Sequence, residues 1–316
     1  MRPHLDRRGF LAAGAALAGA AVSGPAAAAP FFRGHDLPIG IQLYTLGPDA
    51  AKDLDGTLKA VAGIGYRTVE LAGLYGRSAA DFRAALDRAG LKAPSAHIQA
   101  RGGDGSFQGD MGKLASDLQT LGVETAVMPS LYIPERFGAP NAADGGIGGY
   151  LNRVAAGMTA DDWKMNADYL NEKAAALKGA GVRVGYHNHN FEFAPVGSTT
   201  GIEILFANTD PTLVTFEVDI GWVAASGTDP YAFLAKHKGR VSMMHVKDIK
   251  ADTEPNFALK MDPAEIGSGT LDWKRLLPEA YGAGVRGFFV EQEPPFTRPR
   301  IEAAKISYDY LAQVAA

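Results

Sequence analysis

Cysteine is absent from the 316 residues. This excludes structural disulfides, thiolate catalysis and cysteine-type zinc sites, so any metal must sit among His, Asp and Glu. Charge of either sign is in little excess, with 31 basic and 35 acidic residues and a formal net charge of -4. Such a balance offers no basic face to neutralise a phosphate backbone, and nucleic acid is not an expected partner. No Gly-x-Gly-x-x-Gly opens a helix behind the first strand, which removes the main support for a dinucleotide site. Nor does any linker or shift of composition divide the chain after residue 30. What is present, 47% apolar and 21% charged residues, is the composition of an ordinary globular protein.

The first segment reads as an address rather than as fold. Arg7-Arg8-Gly9-Phe10-Leu11 precedes a weakly apolar Ala/Gly run ending at Val22, then Pro25 and Ala26 to Ala29. The run is too short to span a bilayer, so no stable membrane insertion is expected. The paired arginines resemble a twin-arginine signal, which implies a signal peptide over 1–29, a mature domain over 30–316, and a periplasmic or exported protein.

From residue 38 a unit recurs in which a helical stretch ends at a glycine and runs into a short β-rich segment. Gly65, Gly90, Gly122, Gly181 and Gly284 mark five such joints. With Ile39 to Tyr44, Leu213 to Val218 and Val241 to Val246 they delimit eight strands, each followed by a helix or a helix-bearing loop. Eight strand–helix units in one chain fit a single closed (β/α)8 TIM barrel better than an open sheet. The irregular stretches at 131–160 and 249–270 follow strands 4 and 7, on the face where such barrels carry their chemistry.

Acids and histidines gather at the strand ends: His187-Asn188-His189 and Glu192 after strand 5, Glu217 and Asp219 on strand 6, His245 and Lys247 on strand 7, Glu291 and Glu293 on strand 8. Glu70 and His97 end strands 2 and 3. Side chains alternate across a strand, so one member set of each pair faces the barrel mouth. Repeated carboxylates on apolar strands need a compensating charge, and a divalent cation supplies it. Oxygen and imidazole donors suit Mn, Mg, Co or Zn. Glu217 lies deeper than Asp219 and reads as a buried structural residue.

At Ile39 to Thr45, Tyr186 to Phe193, Phe216 to Trp222, His245-Val246-Lys247-Asp248, Glu265 to Trp273 and Val290-Glu291-Gln292, the chain resembles the xylose-isomerase-like superfamily of sugar phosphate isomerases and epimerases. The resemblance implies a metal held by a strand 5 glutamate, a strand 6 aspartate, a strand 7 histidine and a strand 8 glutamate. Asp219, His245 and Glu291 match the last three. Strand 5 offers Tyr186 or His187 instead of a glutamate, so Glu192 is taken as the fourth ligand, with His187 as the alternative. His187, His189 and Lys247 are the expected catalytic groups, and Glu70, His97, Trp222 and Glu293 the expected substrate contacts. The implied activity is a metal-dependent isomerase or epimerase that abstracts a proton beside the carbonyl of a sugar or keto-sugar. A lyase or hydrolase cleaving 3-keto-glycosides by elimination is the rival, and a non-catalytic sugar-binding barrel the third reading. A homo-oligomer is compatible with all three.

Overall fold

The computed structural model describes residues 29–103 and 105–315; the segment read as a signal peptide lies, up to residue 28, outside them. Eight parallel strands close into a barrel: β1 (Gly40–Gln42), β2 (Thr68–Leu71), β3 (Lys92–His97), β4 (Thr125–Met128), β5 (Arg183–His187), β6 (Val214–Asp219), β7 (Val241–Val246) and β8 (Gly287–Val290). They neighbour one another in chain order, and β1 pairs with β8 to close the ring. Helices alternate with them and bury their apolar faces on the outside of the sheet.

The glycine joints behave as the sequence predicts. Gly90 and Gly122 end the helices Ala79–Ala89 and Met111–Leu121 with φ of 69° and 77°, a left-handed turn that a side chain would oppose. Gly40 on β1 has a different task, because a Cβ there would lie 2.6 Å from the Phe289 ring. Its absence of side chain makes room for Phe289, which packs with Val127 and Met243 as a separate apolar cluster inside the barrel. That cluster is the floor of the mouth, because the next inward positions along the same strands, His245 and Glu291, are polar.

Two longer segments rise over the strand C-terminal ends. The stretch at 131–160, irregular by sequence pattern, contains a helix at Ile147–Ala156. The stretch at 249–270 is pinned by a short antiparallel pair, Asp248–Ile249 with Pro263–Ala264. Buried Asp248 secures its return by accepting from the Gly267, Gly269 and Leu271 amides and from the Trp273 indole N–H. The two segments touch where Asn152 donates to the Ala258 carbonyl at 3.0 Å.

Candidate metal and active site

Above the apolar floor lies a layer of polar side chains, one from nearly every strand. Glu70 of β2 accepts from Gln42 Nε2 at 2.8 Å, from the Ser95 hydroxyl, and from His245 Nε2 at 2.6 Å. Glu217 of β6 lies 3.0 Å from His97 Nε2, 3.3 Å from His187 Nδ1 and 3.1 Å from His245 Nε2. Glu70 and Glu217 are fully buried. Pairing of β6 with β7 shifts register between Phe216 and Glu217, while β5 places His187 beside Glu217. This sets Glu217 among three imidazoles, a placement that position along the strand alone does not reveal.

One step higher the same rings present their other nitrogens. His245 Nδ1 is 2.9 Å from Glu291 Oε2 and 3.8 Å from Asp219 Oδ2, and His187 Nε2 is 4.0 Å from Asp219 Oδ2. His187, Asp219, His245 and Glu291 therefore offer four ligand atoms within 4.8 Å of one another; His97, His187, Glu217 and His245 form a second such group below. His187 and His245 belong to both. Asp219 is held in place as the N-cap of the short helix Ile220–Ala225, accepting from the Trp222 amide at 2.9 Å.

The charges show what this layer requires. Asp219, Glu291 and Glu293 converge on one ammonium, Lys247, at 2.7, 2.8 and 2.7 Å, while Glu70 and Glu217 face the imidazoles of His97 and His245. Burial opposes charge on Lys247, but the three carboxylates outweigh it and push the pKa well above the ordinary lysine value. Burial likewise opposes charge on His97, yet Glu70 and Glu217 raise it to about 9. For His245, burial is outweighed by Glu217 and Glu291, again raising the pKa. Protons on these rings thus offset an excess of carboxylate, and a divalent cation would supply the same compensation. Two imidazole nitrogens and two carboxylate oxygens suit such an ion.

A cavity of about 440 Å³ opens over the layer, lined on its polar side by Tyr44, His97, His187, His189, Glu291 and Glu293. His189 Nδ1 is buried there without a hydrogen-bond partner. Burial, reinforced by Lys247, lowers the His189 pKa to about 4, so the ring is neutral. Lys247 itself is fully enclosed, 5.1 Å from the Trp222 ring. Trp222 is buried beneath it and donates its indole N–H to Glu293 at 3.2 Å, so its faces are not open to the cavity. Glu192 lies outside both four-residue groups: its carboxylate accepts from the Tyr186 hydroxyl at 2.8 Å and the His189 amide at 2.9 Å. Burial raises it to about 8 against those bonds, so near neutrality it holds the proton. Glu70 belongs to the layer but does not line the cavity wall. Gln42 and Ser95, which complete its shell, carry no signal of their own in the sequence.

Three known proteins are similar to this chain. An inosose dehydratase of Clostridium tetani is 32% identical over 172 residues, covering 50% of this chain and 57% of the relative. The chain thus spans about half the length of the curated relatives it matches. The crystal structure of a sugar phosphate isomerase/epimerase from Parabacteroides distasonis superposes with a TM-score of 0.65 at 25% identity, covering 87% of this chain and 94% of that one. The 3-keto-D-glucoside 4-epimerase of E. coli shares the fold at 16% identity, with a TM-score of 0.60 over 87% of this chain and 98% of its own. The sequence profile described as xylose isomerase-like TIM barrel matches residues 58–314. Closed barrel, strand-end acids and profile agree, and the chain belongs to the xylose isomerase-like TIM barrel family.

Proposed function

We propose that the chain is a metal-assisted lyase acting on a keto-sugar or keto-glycoside. A divalent ion, which His187, Asp219, His245 and Glu291 would hold, would supply a Lewis acid that polarises the carbonyl. The observation that carries the reading is the asymmetry of the cavity wall. With His187 and Glu291 in the ligand set, His189 is left on the wall as a buried neutral ring with an unpartnered nitrogen. Glu293 lines the same cavity, held through Oε1 by Lys247 and Trp222. One base and one acid serve an elimination; epimerisation calls for groups that give and take a proton on opposite faces of the same carbon.

In this reaction His189 takes the proton from the carbon beside the carbonyl. The released pair forms a carbon–carbon double bond, the next carbon–oxygen bond breaks toward the leaving oxygen, and that oxygen takes a proton from Glu293. The products are a conjugated enone and a free alcohol or water, with nothing oxidised or reduced. Inosose dehydratase, the activity of the curated relatives, supports elimination beside a ketone as the reaction type.

The test is incubation of the metal-loaded enzyme with a 3-keto-glucoside in deuterated water. Release of the aglycone with an enone chromophore is expected, and His189→Ala should slow it about 100- to 10,000-fold with metal retained. Recovery of an epimerised, deuterated glycoside with no aglycone released would overturn elimination in favour of epimerisation.

A further inference from the structure

The cavity has two unlike halves. Against the polar wall stands one built from Pro129, Leu131, Ile133, Ile147 and Leu151, contributed by the end of β4 and by the helix over the mouth. None of these side chains can pair with a sugar hydroxyl. Ile147 is 67% exposed, an apolar group left in water on the rim of the site. A second pyranose in this half would leave its hydroxyls facing hydrocarbon, each unmade hydrogen bond weakening binding. The aliphatic wall also lacks the aromatic side chains on which sugar rings stack: Tyr44 stands on the polar side, and Tyr132, next to Leu131 in the chain, is occupied by Tyr169 at 4.4 Å and by Arg101 at 4.3 Å. At its edge, two polar atoms lack partners: Arg101 Nε and Ser130 Oγ are buried with no hydrogen bond.

From this wall we infer that the substrate is an aryl glycoside, with its sugar in the polar half and a planar phenolic aglycone in the aliphatic half. The inference rests on the keto-glycoside reading for the placement of the sugar. A flat ring buries apolar surface on Leu131, Ile133 and Leu151 and covers Ile147. Arg101 and Ser130 are donors at the edge, suited to a phenolic oxygen or ring substituent. A cavity of about 440 Å³ has room for a hexose and one aromatic ring together.

Binding of unoxidised phenyl β-glucoside and methyl β-glucoside, measured calorimetrically on the metal-loaded enzyme, tests the inference without requiring turnover. Burial of the ring predicts about 10- to 100-fold tighter binding of the phenyl glycoside. Ile147→Ser, at an exposed position that does not endanger folding, and Leu151→Ser should each reduce that ratio, and the double variant should bring it near parity. Equal affinities in the parent enzyme, no detectable binding of the phenyl glycoside, or a preference unmoved by the double variant would each overturn the inference. Preference for the aryl group without cleavage of any keto-glycoside would instead sink the lyase reading and leave this one standing.

Discussion

Replacing Glu217 by Gln should weaken metal binding although Glu217 is not among the four residues proposed to hold the ion. Its Oε2 lies 3.3 Å from His187 Nδ1 and 3.1 Å from His245 Nε2, while the opposite nitrogens of both rings face Asp219 and Glu291. The carboxylate therefore favours the tautomer in which each ring keeps a proton below and a lone pair above. An amide can turn its oxygen to the rings, since only Oε2 meets them in the parent, but it has no charge with which to hold their protons there. Loss of one such supporting contact costs about 10- to 100-fold in metal affinity, and His245 Nε2 keeps Glu70 at 2.6 Å, so the lower end is expected. That is about 1.4 kcal/mol. Mn2+ affinity, measured by competition against a chelator, reads the effect directly, with melting temperature as the check on folding. Unchanged affinity in a folded Glu217→Gln variant, beside loss of metal in Asp219→Asn, would refute the orienting role.

Two further perturbations probe the surroundings. Glu192→Gln can keep both contacts, its Oε1 accepting from the His189 amide and its NH2 donating to the Tyr186 hydroxyl as the protonated parent carboxyl can near neutrality, so stoichiometric metal should remain bound; metal analysis showing its loss would return Glu192 to the ligand set. Asp162 caps the helix Ala160–Lys178 with Thr159 and accepts from Arg136 Nη2 at 2.6 Å, the largest cause of a pKa lowered to about 2. A depressed carboxyl stabilises the fold above its ordinary pKa and ceases to as pH falls from about 4 to 2; with Arg136 half exposed the contribution is about 1 kcal/mol. Asp162→Asn should flatten that acid limb in denaturant titrations, and an unaltered limb would count against the pairing.

The barrel was legible because its punctuation is local. Glycine joints and short β-rich runs recur within single segments, so all eight strands could be delimited without knowledge of their partners. The outer group was partly legible for the same reason, since Asp219, His245 and Glu291 stand at the same level on successive strands, and the structure brings them together with His187. Glu217 was not, because its meeting with His97 and His187 depends on cross-strand register and on the shift between β6 and β7. Trp222 read as a substrate contact, yet nothing in its position foretold that Lys247 would lie over it. The helix at Ile147–Ala156 escaped notice because Gly148 and Gly149 weaken its intrinsic propensity; packing of Tyr150 and Val154 is what holds it.

The contact between Asn152 and Ala258 ties together two segments that leave the barrel on strands three places apart. The second segment is tied in turn to the turn after β5, where Asn190 donates to the Asn256 carbonyl at 2.9 Å and accepts from the Leu259 amide at 3.0 Å. The roof is therefore one mechanical piece, though three separate stretches of sequence encode it. Exchanging the 131–160 segment alone for one of another length would strand the partners of Asn152 and loosen the loop that Asn190 anchors. Substrate range in this scaffold should change by matched replacement of both segments, and grafts that move only one should lose order in the other.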